Sequence, residues 1–163
     1  MLLDGESLGT TPLTREAISK SALAEVLRAE RPRVLFVPYP EDAHPDHIAA
    51  SRIAEAARFY AKFTRTEMSG EPHYAARVYR YMAVHVRIVR EPSFLADISD
   101  TLASKLEALG CYRSQFDDNA ANRGVIGLVE QNARMWGAHG RVDAAEPFFA
   151  LEAPVVSSVL DLL

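Results

Sequence analysis

Cysteine is almost missing from this sequence: Cys111 is its single thiol, so no internal disulfide can form and no Cys-rich zinc module can be built. That scarcity fits a reducing cytosol. Nothing near Cys111 would activate a thiolate, so it is expected as a small buried hydrophobe. Positive charge is also in short supply. With 18 Lys and Arg against 22 Asp and Glu, the net charge is −4, and without a basic field nucleic acid is not expected as a partner. No apolar run approaches the roughly 18–20 residues that cross a bilayer. The opening Met1-Leu2-Leu3-Asp4-Gly5 lacks the basic-then-apolar pattern of a signal peptide. The expectation is a cytoplasmic protein without a membrane partner. Internal repeats, low-complexity tracts and linkers are absent too, so residues 1–163 are expected to form one domain, long enough to bury a core.

What is present reads as alternating helices and strands. The first ten residues are polar and read as loop. Thr11-Pro12 opens a helix, with a capping hydroxyl and a proline where no N–H is needed. Leu13, Ala17, Ile18, Ala24 and Leu27 give its period, and Pro32 must end it. Val34-Leu35-Phe36-Val37 is a continuous apolar run bounded by prolines, the pattern of a strand buried on both faces in a parallel sheet. An alanine-rich helix follows from about His47 to Phe63, then a turn over 68–73. Strands are expected over 76–84 and 93–98, and Ser99 or Asp100 should cap a helix through Leu102, Leu106 and Leu109. Asp117-Asp118-Asn119 reads as loop, Asn122 to His139 as a helix stopped by Gly140, and one short strand is expected from Pro147 onward. Helix, buried strand, polar loop, helix is the order of an α/β sheet.

The densest chemical signal is His44-Pro45-Asp46-His47, directly after the apolar strand. In open α/β sheets, ligands collect beyond the carboxyl ends of strands, where loops can aim side chains at one point. Histidine is both a common zinc ligand and the side chain best suited to exchange protons near neutral pH. Asp46 can orient one ring by accepting its second N–H, as outer-shell carboxylates do. From the spacing alone, a solvated turn accounts for these residues equally well. Glu41 and Asp42, just upstream, suit a polar ligand or plain solvation without distinction.

The stretch from Arg31 to Val34 and on through Pro38-Tyr39-Pro40-Glu41-Asp42-Ala43-His44-Pro45-Asp46-His47 to Ser51 resembles the second signature of the LmbE/PIG-L deacetylases. Four later segments resemble the bacillithiol branch of that family. They are Glu91-Pro92-Ser93-Phe94 with Asp97-Ile98-Ser99, Lys105 to Ala108 with Cys111 to Gln115, Arg134-Met135-Trp136-Gly137, and Ala145-Glu146-Pro147-Phe148. The resemblance implies a Rossmann-like fold with a mostly parallel sheet flanked by helices. It implies zinc-dependent removal of acetate from an N-acetylglucosaminide, in particular N-acetylglucosaminyl-malate on the route to bacillithiol. His47 would be a zinc ligand and His44 the group that stabilises or protonates the tetrahedral intermediate, with Asp46 as its partner. Further implications are one zinc ion, a small amino-sugar conjugate as substrate and self-association of the chain. No substrate-binding residue is assigned.

One family signature, Ala-His-Pro-Asp-Asp near the N-terminus, supplies the remaining zinc ligands and the aspartate base, and this sequence does not contain it. The resemblance therefore reads as the C-terminal two-thirds of the family. A truncated product of a normal enzyme is favoured over a short protein that has lost catalysis. Ala43 stands where this branch often has arginine. The competing functions are a deacetylase for another amino-sugar or bacillithiol S-conjugate, and a catalytically inactive assembly fragment whose apolar tail, 154–163, forms an interface. Tyr112, Arg113 and Gln115 read as helix-end packing before substrate contact. His85 reads as a structural strand residue, His73 and His139 as incidental, and Trp136 as core or interface.

Overall fold

The computed structural model describes residues 12–83, 90–116, 118–153 and 155–158, with side chains from residue 20 onward. The helices and strands form a mixed α/β arrangement whose sheet has four strands. Two compact units share the chain, one taking residues up to Leu35 with Ala49–Arg77, the other Phe36–Ile48 with Val78 onward.

In the first unit, α1 (Pro12–Glu30) begins on the expected proline and stops before Pro32, where Arg31 leaves the helix at a φ of 49°. Its Ala24 and Leu27 pack on Ala57 and Ala61 of α2 (Pro45–Ala61), whose body from Ala49 belongs to this unit. Small residues at these positions let the two helices approach closely. Arg28 is buried in this contact and donates to the carbonyls of Ala61, Phe63, Met68 and Gly70. One guanidinium thereby ties together four backbone carbonyls at the end of α2 and in the turn after it. Gly70 sits at φ 79° with Arg28 Cβ only 3.1 Å from where a Cβ of its own would stand. Arg58 repeats the device, donating to Ala75 O at 2.8 Å while lying 4.1 Å over the Tyr74 ring. His73, expected as incidental, is a structural tie: its ring Nε2 lies 2.8 Å from Pro32 O.

The sheet order is β1 (Val34–Pro38), β2 (Arg77–Tyr81), β4 (Ala145–Phe149), β3 (Phe94–Asp97). The Arg77 N–H bonds Arg33 O at the start of one strand pair, and the Tyr39 N–H bonds Tyr81 O at its end, so β1 and β2 run parallel. The ladders of β4 with β2 and with β3 are antiparallel. The parallel character expected of the sheet thus belongs to β1 and β2, and β4 makes it mixed. Pro147 lies inside β4, where a missing donor would normally break a ladder. Its N–H side faces β2, whose last paired residue, Tyr81, stands opposite Phe148, so the proline falls just past the end of that ladder.

The β1 strand departs from its sequence pattern. It is covered on the side of Val37, which is 4% exposed, but Val34 and Phe36 are 37% and 57% exposed. A run of four apolar residues signals burial, but it does not say how many faces are covered. Phe36 instead opens an aromatic row with one ring from each strand: Phe36, Tyr79, Phe148 and Phe94, with neighbouring centroids 4.8–6.0 Å apart. On the opposite sheet face Tyr39 meets Phe149 edge-on at 5.1 Å.

The helices of this unit are α3 (Leu102–Gly110), the single turn α4 (Arg113–Phe116) and α5 (Val125–Gly140). Leu102, Ala133 and Ala144 form their core with Ile98 and Leu106. The cap position of α3 is Thr101, not Ser99 or Asp100, and its side chain makes no capping bond. Ser99 is occupied elsewhere: its hydroxyl donates to Asp97 at 2.6 Å and accepts from the Asp143 and Ala144 N–H groups. The bonds that Asp97 accepts from Ser99 hold its carboxyl below the ordinary pKa. Gly140 belongs to α5, and the left-handed residue that ends the helix is Arg141, at φ 59°. Gly137 permits a close approach, since a Cβ there would lie 2.7 Å from the Ala144 backbone. Cys111 is exposed, contrary to expectation, because it lies past the end of α3, with its thiol 3.5 Å from Glu107 O. Tyr112 is likewise exposed, its N–H closing the end of α3 on Leu109 O. His85, Asp117, Pro154 and residues 159–163 lie outside the described residues.

Candidate active site

The loop after β1 is stiffened by Pro38, Pro40 and Pro45 and anchored by Tyr39, which is 8% exposed and bonded through its N–H to Tyr81 O. It turns into α2 through Asp42. One carboxylate oxygen of Asp42 accepts the His44 backbone N–H at 2.8 Å, an Asx turn that sets the entry of the helix. Pro45 then takes the first helical position, and Asp46 adds a negative charge to the first turn, where the helix dipole favours it.

The other Asp42 oxygen lies 2.8 Å from His47 Nδ1, and the Asp42 side chain is 0% exposed. The sequence left Asp42 between ligand binding and solvation; it is neither. It is the buried partner of the histidine that closes the motif. A carboxylate accepts only, so the His47 proton sits on Nδ1 and its Nε2 carries the lone pair. The His47 side chain is 32% exposed. The His44 ring stacks on it, 4.8 Å between centroids and 23° from parallel. His44 Nδ1 accepts the Asp46 backbone N–H at 3.2 Å, and the Asp46 carboxylate stands 3.9 Å away, 85% exposed. A neutral His44 therefore carries its proton on Nε2. Once charged, it has an anion beside it. The three motif residues named from the sequence are thus brought together within one turn, and Asp42 joins them.

Glu41 pairs with Arg90 at 3.1 Å, both half exposed. The hydrogen bond and charge of Glu41, and secondarily Tyr39, raise the Arg90 pKa above its usual value. Among the described residues no group of three or more His, Cys, Asp or Glu gathers as a metal site. The described side chains therefore fit one corner of a catalytic zinc site, which takes three protein ligands, and not the whole of it. A separate apolar cavity of about 700 Å³ is lined by Phe36, Tyr81, Phe148, Trp136 and the Lys105–Glu146 ion pair, and the motif residues have no part in its walls. There, burial raises the Tyr81 phenol pKa.

Known proteins share this α/β fold. No protein-family model matches the chain. The chain is homologous to the diacetylchitobiose deacetylase of Thermococcus kodakarensis, 30% identical over 116 residues, which is 66% of this chain and 40% of that enzyme. Its fold is that of the conserved protein TT1542 from Thermus thermophilus, with a TM-score of 0.78 and 35% identity over 94% of this chain and 64% of the other. Two more distant structures share the fold alone. One is the N,N′-diacetylchitobiose deacetylase of Pyrococcus horikoshii (TM-score 0.67, 23% identity, 91% of this chain, 57% of that one). The other is the hydratase GalB of Pseudomonas putida (0.71, 18%, 88% and 62%). The chain thus spans less than half the length of the deacetylase it is homologous to.

Proposed function

We propose that this protein hydrolyses the acetamide of an N-acetylated amino sugar, that zinc is its metal, and that N-acetylglucosaminyl-malate on the route to bacillithiol is its substrate. The carrying observation is the stacked His44–His47 pair with His47 tied to a buried carboxylate. Homology to a diacetylchitobiose deacetylase supports the reaction class. A hydratase on the same fold is a reminder that fold alone does not choose the chemistry.

Amide hydrolysis requires relief of negative charge on the tetrahedral intermediate and a proton for the departing amine. His44 suits both tasks. Its ring is 44% exposed, and as an imidazolium it would offset the developing charge and give up one proton to the amine, with the Asp46 carboxylate 3.9 Å from Nδ1 to favour the charged form. His47 presents the unprotonated Nε2 that would hold the metal. Bound zinc would supply a Lewis acid for the acetyl carbonyl and lower the pKa of a water.

We further propose a cytoplasmic, self-associating protein that binds neither membrane nor nucleic acid. Among the described residues no helix is long and apolar enough to cross a membrane. A second reading, an assembly module without catalysis, is favoured by the aromatic sheet face, where Phe36, Tyr81 and Phe94 are 57%, 40% and 38% exposed. The decisive assay follows release of free amine from N-acetylglucosaminyl-malate and from diacetylchitobiose, with zinc supplied, by the chain extended upstream to the family's full length. The 163-residue chain alone, without the Ala-His-Pro-Asp-Asp ligands and base, is expected to release none. Turnover of the malate conjugate bears out the proposal, and turnover of diacetylchitobiose alone moves the substrate. Release from neither leaves the assembly reading.

A further inference from the structure

We propose that Asp42 is the positioning residue of the site, fixing the tautomer and orientation of His47 while setting the place of His44. The inference rests on the functional reading above only for the purpose of the unprotonated Nε2. The geometry stands by itself.

A carboxylate with no exposed surface is costly to bury unless both oxygens are met. Here both are met by the motif itself: Oδ2 by the His47 ring at 2.8 Å and Oδ1 by the His44 backbone N–H at 2.8 Å. Asp46 is the obvious carboxylate in the sequence, but it is 85% exposed and 3.9 Å from the nearest ring nitrogen. The two acids therefore divide the work by burial. Asp42 orients a ring through a charge-assisted hydrogen bond, which is shorter and about twice as strong as a neutral one. Asp46 supplies charge from the solvent side. The same carboxylate holds the His44 backbone through its N–H, and the two rings lie stacked 4.8 Å apart. A purely structural Asx turn would need only the Oδ1 bond to the backbone, and a neutral side chain would serve it equally well.

The test reads the histidine tautomers of the 163-residue chain by nitrogen-15 NMR, at a pH where the spectra themselves show both imidazoles neutral. In the parent protein His47 should be protonated at Nδ1 and His44 at Nε2. In Asp42→Asn the amide keeps the turn and its shape but loses the charge. The Nδ1 preference of His47 should then fall by about tenfold, the difference between a charge-assisted and a neutral hydrogen bond. Asp46→Asn should leave the His47 tautomer unchanged. An unchanged His47 tautomer in Asp42→Asn overturns the proposal. So does a parent His47 protonated at Nε2, a measurement that needs no variant to fold. Failure of the deacetylase assay with the tautomers as expected would sink the functional reading and leave the positioning role standing.

Discussion

At the scale of single residues, the motif contains two imidazoles that differ mainly in what holds them. His47 leans on a buried anion and His44 on a backbone N–H. Their substitutions should therefore separate. In the active protein, His47→Ala should lower zinc content and activity together, because a ligand is lost. His44→Ala should leave zinc in place and slow turnover by about 10²–10⁴-fold, the usual contribution of a general acid or oxyanion partner. That loss should fall on kcat rather than KM, since the interaction strengthens only in the transition state. Metal analysis beside steady-state kinetics checks both. Metal lost with His44→Ala and kept with His47→Ala would reverse the roles, and unchanged rates in both would reduce the motif to a structural loop.

At the scale of elements, α5 and the turn after it depend on one missing methyl group. A Cβ on Gly137 would come within 2.7 Å of backbone atoms of Ala144 and Val142, and backbone cannot swing aside as a flexible side chain can. Gly137→Ala should cost about 1–3 kcal/mol through overpacking, read as a lower midpoint in thermal or urea unfolding. Gly127→Ala on the same helix is the control. Nothing lies within 4 Å of its would-be Cβ, and replacing a first-turn glycine at an unstrained helical position should stabilise by about 0.4–1 kcal/mol. If both changes act alike, the close approach at Gly137 is not what glycine is there for. The sequence marked a helix through this region but offered no hint that Gly137 would press against the downstream residues Val142 and Ala144.

At the scale of the whole molecule, metal content and self-association are the properties to measure. The motif supplies at most two imidazoles, and among the described residues no group of three or more His, Cys, Asp or Glu gathers, so the purified and dialysed 163-residue chain should hold well under one zinc per molecule. Stoichiometric, tightly held zinc would show that other ligands complete the site. The aromatic row invites association, because contiguous apolar surface of this kind marks interaction sites. Sedimentation should show concentration-dependent self-association, weakened by Phe36→Gln, whose ring is 57% exposed. A chain that stays monomeric at high concentration would argue against this face as an interface between copies.

Sequence by itself determined much of this protein. Prolines and glycines bounded its elements to within a few residues, because φ restriction and the missing proline N–H act locally. The run from Pro38 to His47 singled out the candidate site, because its residue types and their order suit the chemistry wherever the loop goes. Tertiary structure alone decided the rest. It exposed one face of β1 and placed Pro147 harmlessly beyond the end of β2. It set Ser99 to hold Asp97 and the turn at 143–144 rather than to cap α3. It also chose Asp42 over Asp46 as the carboxylate that grips a ring. Each of these turns on burial and on the partner a polar group meets. Residues four or forty apart in the chain become neighbours only once the backbone has closed around them, and a sequence read along its length carries no record of that distance.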